Sequence, residues 1–182
     1  VAGAGLWWTN RSDGGPPPVA WQFETGSALA SRPAVADGVL VIGASVTNSV
    51  HGIDAADGKG KWRYTAGGTV DTTASIADGV AFIGSHDGAL YAFNIQTGDV
   101  VWKTPVGAKV TGSTTVVGDL VVVGTGDGST WAVNRADGSV EWTARTGTQM
   151  INSTPVTTVR DGEQLIVIGS TDGSLYFLDP AT

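Results

Sequence analysis

Ala92-Phe93-Asn94-Ile95-Gln96-Thr97-Gly98-Asp99-Val100-Val101-Trp102 returns as Ala132-Val133-Asn134-Arg135-Ala136-Asp137-Gly138-Ser139-Val140-Glu141-Trp142, and in looser form from Ile53-Asp54 to Trp62. With Trp21 added, the tryptophans at 21, 62, 102 and 142 are spaced 41, 40 and 40 residues apart, in the related segments VAWQFETG, GKWRYTAG, VVWKTPVG and VEWTARTG. A fixed period of this size decides the architecture before any local motif does, because identical units bury identical faces against one another.

Working outward from the tryptophan segment, each unit reads as four strands. It opens with a short mixed stretch (Ser31–Val35, Thr72–Ile76, Ser113–Val117, Ser153–Val156) and turns at Asp37-Gly38, Asp78-Gly79, Gly118-Asp119 or Asp161-Gly162. A continuous apolar run ending at Gly43, Gly84, Gly124 or Gly169 follows. A second turn at Asp87-Gly88, Asp127-Gly128 or Asp172-Gly173 precedes an alternating strand (ALYAFN, STWAVN, SLYFLD), and a third at Asp57-Gly58, Thr97-Gly98 or Asp137-Gly138 leads to the tryptophan. Asp-Gly between apolar runs signals a hairpin, since both central residues of a type I′ turn take positive φ. Three hairpins per unit make four antiparallel strands, and four-stranded units of about 40 residues are arranged radially as the blades of a β-propeller. The second strand, apolar on both faces, belongs between two neighbouring blades. The tryptophan strand, carrying Lys, Glu, Arg and Thr, is the half-solvated outer edge, its Trp docking on the adjacent blade.

The repeat, roughly Ala-x-Asp-x-x-Thr-Gly-x-x-x-Trp, resembles the pyrroloquinoline-quinone-type propeller repeat over residues 19–182. That repeat occurs in quinoprotein alcohol dehydrogenases, in a lipoprotein of the outer-membrane β-barrel assembly machinery and in extracytoplasmic parts of actinobacterial serine/threonine kinases. The resemblance implies an all-β propeller; the motif is specific for fold and weak for function. Catalytic members are several times longer, with a vicinal disulfide over the quinone and a calcium ion beside a catalytic aspartate. This chain has no cysteine, so no cofactor, catalytic residue or metal is expected, and a quinoprotein dehydrogenase fragment is the remote alternative.

The fourth unit stops at Phe177-Leu178-Asp179-Pro180-Ala181-Thr182, before its tryptophan strand, while Val19-Ala20-Trp21-Gln22-Phe23 supplies one at the front. The repeats are thus permuted by one strand, and the N-terminal strand is expected to close the last blade, which removes two open edges. Four blades close alone as a small ring, or two chains each supply half of an eight-bladed ring by exchanging first strands, a homodimer of C2 symmetry. A piece of a longer propeller is a third arrangement.

Composition narrows the function. A chain of 182 residues with 41% hydrophobic residues holds one core, and zero cysteines exclude a disulfide framework, thiolate zinc and cysteine catalysis. Ten Lys and Arg against 17 Asp and Glu give a net charge of −7, which argues against nucleic acid as a partner. Residues 1–18 read as a separate segment. Val1–Trp8, apolar and ending in paired tryptophans, is expected to be the exiting end of a membrane helix, and Gly14–Pro18 a semi-rigid spacer. The expected setting is extracytoplasmic and membrane-anchored, and the resemblance adds the external sensor domain of a membrane-anchored serine/threonine kinase working through dimerisation. The alternative is a protein-interaction scaffold like the assembly lipoprotein.

Candidate chemistry is sparse. His51 aligns with Tyr91, Trp131 and Tyr176 and is expected to fill a blade position; His86, beside Asp87-Gly88, is expected to be an exposed turn residue. Neither has a second histidine at metal-ligand spacing, and the Asp-Gly pairs lack the ligand ladder of a calcium loop. A propeller binds ligands at the mouth of its central channel, lined by first strands. Repeat alignment puts Ala30, Asp71, Gly112 and Asn152 at one position there, with Arg32, Thr73, Thr114 and Thr154 two residues later on the same face. Arg32 and Asp71 break the neutral repeat, so Arg32, Asp71, Thr73 and Asn152 are the candidate contacts for an unknown small ligand or protein. Thr157–Gln164, longer than its counterparts, is either a recognition loop or an elongated hairpin.

Overall fold

The computed structural model describes residues 19–181. They form four antiparallel sheets, the blades of a β-propeller. Blade one holds β1 (Ala34–Ala36), β2 (Val39–Ala44), β3 (Ser49–Asp54) and β4 (Gly60–Thr65). Blade two holds β5 (Ser75–Ala77), β6 (Val80–Ser85), β7 (Ala89–Asn94) and β8 (Val100–Pro105); blade three holds β9 (Thr115–Val117), β10 (Leu120–Gly124), β11 (Ser129–Asn134) and β12 (Val140–Arg145). Blade four has three strands, β13 (Val156–Arg160), β14 (Glu163–Gly169) and β15 (Leu175–Leu178). No helix among the described residues is long and apolar enough to cross a membrane. The expected membrane-exit segment and spacer at residues 1–18 lie outside the described residues.

The three turn classes differ in chemistry. In the first, Asp37-Gly38, Asp78-Gly79 and Asp161-Gly162 have positive φ at both residues, as a two-residue type I′ turn requires. Blade three departs: Gly118 alone is left-handed in its Gly118-Asp119 turn. In the second class only Gly88, Gly128 and Gly173 are left-handed, because the preceding aspartate acts through its side chain. Asp87, Asp127 and Asp172 each accept a hydrogen bond from the backbone N–H two residues on, at 3.1, 3.1 and 3.0 Å. The long segment in blade four is an elongated hairpin, with Arg160 paired to Glu163 across Asp161-Gly162.

Stacked blades make the core. β2, β6 and β10 are buried on both faces, whereas β4, β8 and β12 alternate between exposed and covered residues. The tryptophans fasten each blade to the next. Nε1–H of Trp62 donates to the Ile95 carbonyl at 2.7 Å, that of Trp102 to Arg135 at 3.0 Å and that of Trp142 to Pro180 at 3.1 Å. Each ring needs a floor without a side chain: a Cβ added to Gly98 would stand 2.6 Å from the Trp62 ring, and one on Gly138 2.8 Å from the Trp102 ring. Both glycines have φ of +77, so the turn and the docking select glycine together.

Residues 19–23 occupy the same kind of seat on blade one. The ring of Trp21 covers Gly58, where a Cβ would approach to 2.5 Å, and Phe23 meets His51 edge-on at 5.6 Å, as Tyr64 meets Tyr91 at 5.6 Å. They pair with no strand, however, and β15 pairs with β14 alone among the described residues. The expected joining of the N-terminal strand to the last blade is therefore not formed within the described residues.

Candidate functional site at the propeller axis

The segments that lead into β1, β5, β9 and β13 converge on the axis and are tied to one another by bonds between side chains and backbone of neighbouring blades. Arg32 N–H donates to Thr73 Oγ1 at 3.1 Å, Thr73 N–H to Ser113 Oγ at 3.0 Å, and Thr111 Oγ1 to the Ile151 carbonyl at 2.7 Å. Small hydroxylated residues are selected here because only short side chains reach the next blade without filling the axis.

These contacts correct the alignment of blade three by one residue. Thr111, not Gly112, stands with Ala30, Asp71 and Asn152, and Ser113, not Thr114, with Arg32, Thr73 and Thr154. The cause is local: Gly112 lies against the Gly124 backbone at the place where Thr72 bonds the Gly84 carbonyl, and Thr114 is buried with its hydroxyl on the Phe82 carbonyl at 2.8 Å.

Arg32, Asp71, Thr73 and Asn152 thus line one axial cavity of about 360 Å³. An adjoining space of about 320 Å³ is bounded by Ala30, Asp71, His86, Thr111, Met150 and Asn152. His86 is the second correction: it is not simply exposed at its turn but points to the axis. Nε2 of its ring lies 3.1 Å from Oδ1 of Asp71, with side-chain exposures of 26% and 32%. Its backbone N–H is anchored on the Thr69 carbonyl at 2.8 Å, the bond made by Gly126 to Lys109 in blade three and by Thr171 to Met150 in blade four. Glycine and threonine at the equivalent positions cannot reach across, so blade two alone places an imidazole beside a carboxylate. The signal was present: His86 and Asp71 are both departures from the repeat, and both belong to blade two.

Other ionisable groups serve the scaffold. His51 is buried, its Nε2 bonded to Ser49 Oγ at 2.9 Å; burial and then the Arg63 charge lower its pKa, so it fills its blade position as a neutral ring. Burial pushes the Asp87 carboxyl up, but hydrogen bonds from Tyr91 and Ser85, the Lys103 charge and the Gly67 N–H outweigh it and leave the pKa lowered. Tyr176 and Asp172 repeat the tyrosine–aspartate latch in blade four at 2.9 Å. Arg135 spans blades two and three, bonded to Asp78 at 2.5 Å and Asp119 at 3.4 Å.

The axial residues do not fit a bound quinone and its metal. They offer hydroxyls, one carboxamide, one carboxylate, one guanidinium and one imidazole, with no Phe, Tyr or Trp ring lining either cavity. Among the described residues no three His, Cys, Asp or Glu side chains stand close enough to hold a metal ion.

Radial four-stranded blades docked through a repeated tryptophan define a propeller of the pyrroloquinoline-quinone-like repeat type. The chain belongs to the family described as outer membrane protein assembly factor BamB, whose model (PQQ_2) matches residues 16–99 and 67–182. No curated protein matches the chain in sequence. Among solved structures it is similar to BamB from Moraxella catarrhalis (TM-score 0.76, 23% identity), covering 89% of this chain and half of that one. The computationally designed Ika4 protein superposes with a TM-score of 0.75 at 18% identity, covering 90% of this chain and 99% of Ika4. The quinohemoprotein alcohol dehydrogenase ADHIIG from Pseudomonas putida HK5 gives 0.71 at 20% identity, covering 86% of this chain and 31% of that enzyme. At these identities the likeness is one of fold, shared by an assembly factor and by dehydrogenases.

Proposed function

We propose that this chain is a non-catalytic, extracytoplasmic binding propeller whose axial mouth takes a small polar ligand. The observation that carries the reading is the Asp71–His86 pair, placed by blade two alone in a cavity otherwise lined by hydroxyls, Asn152 and, at its rim, Arg32. Asp71 accepts from an ammonium or hydroxyl group, Asn152 both donates and accepts, and Arg32 at the rim offers a cation to an acidic end. A zwitterion or a polyol matches this set. The wider setting, a sensor tethered through residues 1–18 and joined to a serine/threonine kinase, rests on the resemblance of the repeat.

Saturation-transfer NMR of the chain against a defined mixture of free amino acids, monosaccharides and polyamines tests the site. Binding by a member of the mixture, lost in the Asp71→Asn/His86→Ala variant with the fold retained, is the expected result. No binding, or binding that the variant leaves unchanged, overturns the reading. The family description favours a second reading, a scaffold that docks a protein partner on propeller loops; there the axial variant leaves partner binding intact.

A further inference from the structure

The seam between blades two and three is built unlike the seam between blades one and two. The tryptophan bonds fix which positions correspond: Trp62 donates to the Ile95 carbonyl and Trp102 to that of Arg135, so Ile95 and Arg135 are counterparts. Their backbones match as well, Ile95 N–H donating to the Gly79 carbonyl at 3.0 Å and Arg135 N–H to that of Asp119 at 2.9 Å. The side chains do not. Ile95 is fully buried in the core cluster that also holds Val39, and Val39 is 1% exposed. Arg135 instead reaches across the seam to Asp78 and Asp119, and Val80, the counterpart of Val39, is only half-buried.

Two nearby positions change in the same sense. The Gln96 carboxamide straps the first seam by donating to the Asp37 carbonyl at 3.1 Å, and its counterpart in the second is Ala136, which is too short to reach. Just before the docking tryptophan, blades one and three carry Lys61 and Glu141, whereas blade two carries Val101, 49% exposed. Where one seam is plugged and strapped, the other therefore holds a cavity of about 500 Å³. Its wall is Ala77, Val80, Phe82 and Val101, and its rim carries Asp78, Asp119 and Arg135. Small-molecule sites span about 300–1,000 Å³.

We propose that this seam pocket binds a small amphipathic cation, an ammonium group on an apolar stem. The stem takes the space that Ile95 fills in the first seam and covers Val80 and Val101, whose burial drives binding. The head meets the two carboxylates. Arg135 engages Asp78 through Oδ2 and Asp119 through Oδ1, so one oxygen of each stays open to a second donor. Two carboxylates against one guanidinium leave the rim with one negative charge, which favours a cationic head and disfavours an anionic one. The pocket shares no residue with the axial cavities and does not depend on what they bind.

Hexylammonium, 1-hexanol and hexanoate share one stem and differ in the charge of the head. Each is titrated into the isotope-labelled chain while methyl NMR shifts are followed. The expected shifts centre on Val80 and Val101, with hexylammonium bound about fivefold more tightly than hexanol and hexanoate the weakest. Arg135→Ile/Ala136→Gln copies the first seam: its urea midpoint is no lower than that of the unmodified chain, and hexylammonium binding falls about tenfold or more because the stem's space is filled. Asp78→Asn/Asp119→Asn keeps hexanol binding and brings hexylammonium down to the same affinity. No shift at Val80 and Val101, binding that survives the filled seam, or hexanoate bound as tightly as hexylammonium overturns the proposal. So does loss of hexylammonium binding in Asp71→Asn/His86→Ala, which would assign it to the axial mouth.

Discussion

Replacing Trp102 measures what one blade-to-blade fastening is worth. The side chain is 8% exposed, its ring packs on Phe82 at 5.6 Å and lies on Gly138, and Nε1–H donates to the Arg135 carbonyl of the next blade at 3.0 Å. Truncating a buried Trp to Ala costs about 3–5 kcal/mol, because the transfer energy and the cavity add. The hydrogen bond contributes about 1 kcal/mol within that total. Phenylalanine keeps an aromatic contact with Phe82 and loses the N–H and part of the ring, so Trp102→Phe costs about 1–2 kcal/mol. With a urea slope of about 2 kcal/mol/M, the midpoint falls by about 2 M for Trp102→Ala and by about 0.5–1 M for Trp102→Phe. Urea unfolding followed by far-UV circular dichroism reads the shift without relying on the tryptophan that was removed. In hydrogen exchange, protection falls first in β6 to β12, because stacked units depend on their nearest neighbours. A cost for Trp102→Ala below about 1 kcal/mol, or equal costs for Ala and Phe, would refute the reasoning that ring burial joins the blades.

Four further outcomes follow from the same geometry. Gly98→Ala combines a φ of +77 with a Cβ 2.6 Å from the Trp62 ring and lowers stability by about 2 kcal/mol, read from its urea midpoint. Because His51 has a lowered folded pKa, its contribution is complete above the ordinary histidine value and is lost as pH falls below it through the folded pKa; midpoints measured between pH 8 and 5 show this loss, and His51→Gln removes that part of the slope. Tyr91→Phe takes from Asp87 one of the hydrogen bonds that lower its pKa, so the carboxyl titrates at higher pH in carbon-13 NMR. Asp87 stabilises the fold above the ordinary aspartate pKa and ceases to do so as pH falls through its depressed value, and this acid dependence shrinks in the variant. Arg135→Ala removes a bridge to two carboxylates that are 81% and 85% exposed, and leaves the urea midpoint unchanged in 0.5 M salt.

Much of the fold was legible in the sequence, and the reason is repetition. A single Asp-Gly marks one hairpin, but glycine turns, mostly Asp-Gly, that recur at constant spacing leave only four-stranded antiparallel blades. The tryptophan strand was legible as an edge because its polar residues alternate with covered ones. The turn chemistry was only partly legible: Asp-Gly looks alike at the first and second turns, yet Asp37 and Asp78 take positive φ whereas Asp87 and Asp127 do not. What separates them is the ladder on either side, which no dipeptide carries.

Of the axial residues, Arg32, Asp71, Thr73 and Asn152 are legible because they stand at a constant distance before the first strand of each blade, and the repeat period fixes that distance. His86 was misplaced because it lies in a turn, where one residue's direction depends on how the next blade is stacked. The one-residue error at Gly112 and Thr114 has a similar origin: without a hydrogen-bond partner in view, a spacing of 40 or 41 fits a repeat equally well. The sequence by itself determined that the described chain is built of repeated blades, their strand order and the tryptophan seams, since these follow from periodic burial and local turn geometry. Only the tertiary structure decided that Asp71 and His86 meet, and that Thr111 and Ser113, not Gly112 and Thr114, face the axis. Those facts depend on which surfaces face each other across blades, a property of the curvature of the whole arc and not of any one repeat.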